Sequence, residues 1–205
     1  MQDHEHLERH QPGFSRRAFL RGSGAAAAAT ALATGPGVAE ADEQKTKVVG
    51  PGPTKIKLTV NGKPHDLEVE PRMTLLEALR YKLDLTGAKP VSDDGSSGAS
   101  TVIIDGKPLS AESTLAIDCV NKKIQTVESL GGSKPDPVAT AFVHQDAMQC
   151  GFCTPGFVVA VRHFLDKHPK ATEAEIRAGL NGNLCRCGTY ANVIMAALEV
   201  VKGGK

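Results

Sequence analysis

Beyond Lys55 apolar and polar residues alternate. Ile56, Leu58 and Val60 stand between Lys and Thr, Asn61-Gly62 interrupts, and Leu67 and Val69 follow. A period of two marks a strand with one buried face, and Asn-Gly between two such runs predicts a β-hairpin. Thr74 and Glu77 have the spacing of a capping box, ahead of "LLEALRYKL", whose apolar residues recur at helical spacing. A Ser- and Gly-rich stretch then leads to "STVIID" as a strand, to Asp105-Gly106 as a turn, and to short strands near 114–119 and 123–127. Hairpin, helix, loop and further strands predict an α+β domain of the β-grasp type over residues 54–131.

After the turn-rich "GGSKPDP" the period changes. "PVATAFVHQDAM", "PGFVVAVRHFLDKH", "TEAEIRAGLNG" and "YANVIMAALEVVK" each place apolar residues at i, i+3, i+4. Thr154 before Pro155 reads as an N-cap with proline at the first helical position. Thr172 and Glu175 form a second capping box. Four helices with short connections predict a small four-helix bundle over residues 137–202.

The first residues follow neither pattern. Twin arginine in "SRRAFLRG", then the mild apolar run "AAAAATALATG" and Ala39-Glu40-Ala41, resembles a Tat export signal over residues 1–41. An amphipathic surface helix and a retained signal anchor are the competing readings. The Tat reading implies a periplasmic protein exported already folded, with its cofactor installed in the cytoplasm. Residues 42–53, charged and then Pro/Gly-punctuated, read as a linker. About 160 residues remain for folding, enough for one mid-sized domain or two small ones.

Lys+Arg 24 against Asp+Glu 23 leaves no charge excess for nucleic acid or an anionic membrane, and no Trp with two Tyr argues against stacked bases. Past the N-terminus no apolar run approaches the length of about 20 residues that a membrane span needs. Five cysteines is an odd count, poorly matched to a disulfide framework. Four form two tight pairs, Cys150/Cys153 and Cys185/Cys187, and Cys119 stands alone on a predicted strand as a small buried hydrophobe. Both pairs lie at predicted helix ends, so an antiparallel bundle can bring their loops together with backbone N–H groups aimed at the sulfurs. Spacing alone leaves Zn²⁺, an iron–sulfur cluster or two disulfides open.

"QCGFCTPG" followed by "GNLCRCGTY" resembles the small iron–sulfur subunit of the molybdenum hydroxylase family, which includes xanthine dehydrogenases, aldehyde oxidoreductases and isoquinoline oxidoreductases. The resemblance runs from about Lys55 to Val201 and includes the order of β-grasp and bundle. It implies an oxidoreductase subunit in which Cys150, Cys153, Cys185 and Cys187 hold one [2Fe–2S] cluster. The molybdopterin would lie in a separate large subunit, with Gln149 and the region of Cys187 near the pterin. Substrate chemistry would belong to that partner, so no residue of this chain is expected to be catalytic. A non-redox assembly and export-escort subunit of the same complex is the alternative.

In that family the first module carries a second, ferredoxin-like cluster. Here its ligand positions fall on Ser92, Ser97, Ser100 and Glu112, while Asp93, Gly95, Gly98, Thr101 and Asp105-Gly106 keep the loop pattern. A protonated hydroxyl is a poor ligand for cluster iron, so this half is expected to hold no cluster. A hydrogen-bonded loop filling the pocket is the expectation, with a hard cation as the remoter option. Electrons would then leave the remaining cluster by another exit, toward a c-type cytochrome or another periplasmic acceptor.

Overall fold

The structure is a computed structural model that describes Ser15, Arg17, Phe19, Leu20 and residues 49–203. Apart from those four residues, the candidate Tat signal lies outside the described residues, as does most of the linker. Everything from Val49 to Gly203 belongs to one compact unit.

Strands β1 (Thr54–Val60) and β2 (Lys63–Val69) form the expected antiparallel hairpin, with Val60 opposite Lys63 across the turn. Asn61 and Gly62 both take positive φ, 51° and 77°, which is what a two-residue hairpin turn requires. Asn61 also does long-range work. Its amide donates to the Thr126 hydroxyl at 2.9 Å and accepts from the Thr126 N–H at 2.9 Å, tying the turn to the chain that leads into the helical half. The Thr74–Glu77 capping box is present and opens α1 (Leu75–Glu77), which widens at once into a π turn over Ala78–Lys82.

Strands β3 (Thr101–Ile104), β4 (Lys107–Ser110) and β5 (Lys123–Gln125) complete a five-stranded sheet of order β2-β1-β5-β3-β4. Only β1 and β5 pair in parallel. The strand expected near 114–119 is a 3-10 turn, Ala116–Cys119. A single isolated bridge, Thr74 to Leu115, is the ladder this segment makes, and its backbone otherwise closes on α1. Cys119 is fully buried there, as a small hydrophobe on a turn and not on a strand.

The four helices of the second half are α2 (Pro137–His144), α3 (Thr154–Lys167), α4 (Glu173–Gly179) and α5 (Tyr190–Val201). Asp136 caps α2 and the Thr172–Glu175 box caps α4. Thr154 is not a cap: α3 begins on it, Cys153 takes the cap position, and the Thr154 hydroxyl is buried with no partner among the described residues. Proline still occupies the first turn, where its missing N–H costs nothing.

Two cores lie within the unit. Leu58, Val60, Leu75, Leu79, Val102 and Ile124 centre one, and Phe142, Phe157, Val161, Ile176 and Ala197 centre the other. They meet where α3 packs across β3. At that seam Gly156 touches backbone: a Cβ on it would lie 2.3 Å from the Gly98 carbonyl oxygen. An alanine in an exposed helix gains about 1 kcal/mol over glycine. Here backbone overlap reverses the sign, and Gly156→Ala is expected to destabilise by roughly 1–3 kcal/mol in chemical denaturation. A variant at least as stable as the parent would mean that α3 and the Gly98 loop do not meet.

Candidate iron–sulfur centre

Cys150 and Cys153 sit in the turn between α2 and α3, and Cys185 and Cys187 in the turn between α4 and α5. The structure brings the two turns together and leaves all four residues as free thiols. Cys153 shares a hydrogen bond with Cys185, and Cys187 with Cys150. Cys185 is buried, Cys153 half-buried, and Cys150 and Cys187 are exposed, so the group runs from the bundle interior to the surface. Gly151 and Gly188 follow the two exposed cysteines with φ of 78° and 84°, turning the backbone sharply beneath each sulfur.

The thiols differ in their readiness to ionise. Burial, and then the hydrogen bond to Cys185, push Cys153 up to about 12. Burial also works to raise Cys185, but hydrogen bonds from the Thr189 side chain and backbone outweigh it, bringing that thiol down to about 7. The Thr189 hydroxyl donates to Cys185 Sγ at 3.1 Å, and the Cys185 N–H donates to the Tyr190 hydroxyl at 2.8 Å. Tyr190 is set in turn by Phe157, edge to face with ring centroids 6.1 Å apart. Cys187 is raised: a backbone hydrogen bond from Cys150 lowers it, but the shared thiol hydrogen bond and neighbouring sulfur charge prevail. Gln149 is exposed beside Cys150.

Among the described residues no three His, Cys, Asp or Glu side chains close on one point as a single metal ion would require. The thiols stand instead as two pairs. Four cysteine thiolates drawn from two turns are soft donors of the kind that cluster iron takes. The donor set therefore fits a [2Fe–2S] cluster.

The other half offers no such chemistry. The Ser92 hydroxyl donates to Glu112 Oε1 at 2.5 Å and lies within hydrogen-bond distance of Ser97 Oγ at 3.1 Å, and the Ser97 N–H donates to Ser92 Oγ at 3.3 Å. Ser100 turns away and pairs with Ser110 at 2.9 Å. Three of the four expected positions thus converge, as a closed network of hydroxyl and carboxylate. The second Glu112 oxygen and the Arg80 Nε, both buried without a partner among the described residues, belong to residues lining one cavity of about 280 Å³. A guanidinium in that wall is contrary to the all-oxygen shell a hard cation needs. These residues fit neither a cluster nor a calcium ion.

A sheet domain joined to a bundle that presents two thiol pairs defines an iron–sulfur electron-transfer protein. The [2Fe–2S] binding domain family matches residues 126–198. The chain is 41% identical over 166 residues to the aldehyde oxidoreductase iron-sulfur-binding subunit PaoA of Escherichia coli O157:H7, covering 72% of this chain and 71% of that one. It is 37% identical over 145 residues to the nicotine 6-hydroxylase small subunit of Paenarthrobacter nicotinovorans, covering 71% of this chain and 88% of that one. Among solved structures, quinoline 2-oxidoreductase from Pseudomonas putida 86 superposes with a TM-score of 0.69 at 37% identity, over 76% of this chain and 100% of that chain. The chain belongs to the [2Fe–2S] small subunits of the molybdenum hydroxylase family. It is an oxidoreductase component, with molybdopterin on the partner large subunit.

Sequence reasoning singled out the cysteines but missed Asn183, Thr189 and Tyr190, although all three stand in "GNLCRCGTY". The signal was their adjacency; their contacts appear only in the fold. The cluster-free chain should show one cysteine ionising with a midpoint near 7, thiolate above it and thiol below. Thr189→Val removes the hydroxyl donor, so that midpoint should climb toward the ordinary thiol value of about 8.5. Ultraviolet thiolate absorbance followed against pH measures it, and an unmoved midpoint would refute the role given to Thr189.

Proposed function

We propose that this chain is the single-cluster electron relay of an exported molybdenum hydroxylase. Cys150, Cys153, Cys185 and Cys187 are the ligands in this reading. When bound, the cluster supplies one-electron transfer between the partner's molybdenum site and an outside acceptor. The observation that carries the reading is the contrast between the two halves: two facing thiol pairs in one, and a closed serine–glutamate network in the other.

The chain's own residues do three things. The four thiolates give soft, negatively charged ligation, and Thr189 and the Tyr190 hydroxyl fix Cys185 within it. Cys150 and Cys187 stay at the surface, and Met148, Phe152 and Leu184, each within three residues of one of them in the chain, are exposed as well. Apolar side chains around a charged centre suit a partner that closes over it and excludes water. Gln149, exposed in that rim, offers a donor and an acceptor to the partner's pterin. The large subunit hydroxylates an aldehyde or an N-heterocycle, the classes named for its relatives.

Export follows from Arg16-Arg17 and the alanine-rich run after them, with delivery to a periplasmic acceptor such as a c-type cytochrome docking near the bundle. Arg16→Lys with Arg17→Lys should hold the subunit and its partner in the cytoplasm on cell fractionation. Periplasmic arrival of the double variant would overturn the export reading alone.

The relay itself is tested on the complex purified with its large subunit. Redox titration followed by electron paramagnetic resonance should show one [2Fe–2S] species from this chain, about two irons per chain. Serine at any one of the four cysteines should remove it, while Cys119→Ala should keep it. Two distinct cluster signals would refute the one-centre reading, and a colourless zinc protein would refute the relay.

A further inference from the structure

The thiolate-free loop and the cysteine loop are joined directly. The Leu184 N–H donates to the Ser97 carbonyl at 2.9 Å. Asn183, 8% exposed, donates its side-chain amide to the Gly98 carbonyl at 2.8 Å and to the Thr101 hydroxyl at 3.3 Å. Gly98 has φ of 67°, and a Cβ there would lie 2.4 Å from the Gly182 carbonyl oxygen and 2.9 Å from Asn183 Cα. Gly182, Asn183 and Leu184 are therefore pressed against the serine loop from both sides of the peptide. Cys185 is the next residue.

That position matters because most of this turn is exposed, and Thr189 and Tyr190 hold Cys185 only from its C-terminal side. Residues 181, 182, 184 and 186–188 are exposed, and Cys185 is the buried sulfur on which the inner thiol pair depends. A ligand on an exposed turn has many conformations to lose, and each contact that fixes the turn beforehand reduces that loss. Asn183 fixes it at one residue's remove from Leu184, and its donor meets a carbonyl whose loop is itself pinned by the Ser92–Ser97–Glu112 network.

We infer that Asn183 is a positioning residue for the iron–sulfur centre, using the thiolate-free loop as a fixed anchor for Cys185. The β-grasp half then serves the neighbouring cluster instead of holding one. This rests on the relay reading above. It gives the serine loop a task that needs no bound group: the loop keeps its glycine turn because the cysteine loop leans on the carbonyls that the turn exposes.

The test uses the full chain in its complex. Asn183→Asp keeps the shape and removes the donor, and Gly98→Ala pushes on the same turn from the opposite loop. Both are expected to speed chelator-driven bleaching of the cluster about tenfold, the scale typical of contacts supporting metal ligands. Both should also shift its reduction potential and its resonance spectrum. Thr101→Val, which removes the longer Asn183 contact together with the Thr101 hydroxyl's own bond to the Gly98 carbonyl at 2.7 Å, should act in the same direction, and it stands in for either variant that fails to fold. A loaded wild type with unchanged bleaching, potential and spectrum in the variants overturns the anchor role even if their unfolding midpoints fall. A wild type without iron overturns the relay reading itself.

Discussion

Four sulfur anions near one another repel, and the inner ones are also cut off from water. A structure that gathers them must supply hydrogen-bond donors where the solvent is lost. At Cys185 those donors come from the first turn of α5, through Thr189 at the sulfur, while Tyr190 receives the residue's own N–H. A hydrogen bond to a charged group is worth about 1.5–3 kcal/mol, enough to outweigh the burial of one partly shielded thiolate. Cys153, half-buried and with no hydroxyl donor at its sulfur, moves the opposite way. The bundle enters here, because α5 holds this register only while Phe157 of α3 braces Tyr190 and the shared core closes beneath them.

The same arrangement orders the molecule from inside to outside. One thiol pair is anchored in the bundle and the other faces solvent among apolar side chains. A partner that covers this rim removes water from a charged site, strengthening every interaction there. Docking and redox behaviour are thereby linked: the potential of the centre belongs to the covered surface, and not to the small subunit by itself. Where the bundle gathers thiols, the β-grasp half gathers serine hydroxyls and a carboxylate.

Much of this was legible in residue order because the governing signals are local. Period two gave β1 and β2, two capping boxes fixed the starts of α1 and α4, and the pair spacing of the cysteines marked the centre. What failed were places where contacts distant in sequence decide. Residues 114–119 have strand-like composition, but their backbone is taken by α1, leaving one bridge and a 3-10 turn. Thr154 has the chemistry of a cap, yet the turn that places Cys153 lets the helix begin on Thr154, and its hydroxyl is left inside. Asn183 lies 85 residues from Gly98, and no periodicity announces such a bond.

The serine loop stays folded on hydroxyls and a carboxylate alone. Hydroxyls are shorter than metal-bridged thiolates and cannot span the same space, so buried ones must find each other or the backbone. Ser92, Ser97 and Glu112 bond to one another, and Ser100 bonds to Ser110 instead. One oxygen of Glu112, a residue 7% exposed, has no partner among the described residues. Such a defect persists in a marginally stable fold only where the surrounding chain is held by other bonds. Those bonds are the ones that cross to the cysteine turn, at Ser97, Gly98 and Thr101. The loop is thus stabilised from the side it supports, and loosening either loop should be felt in both.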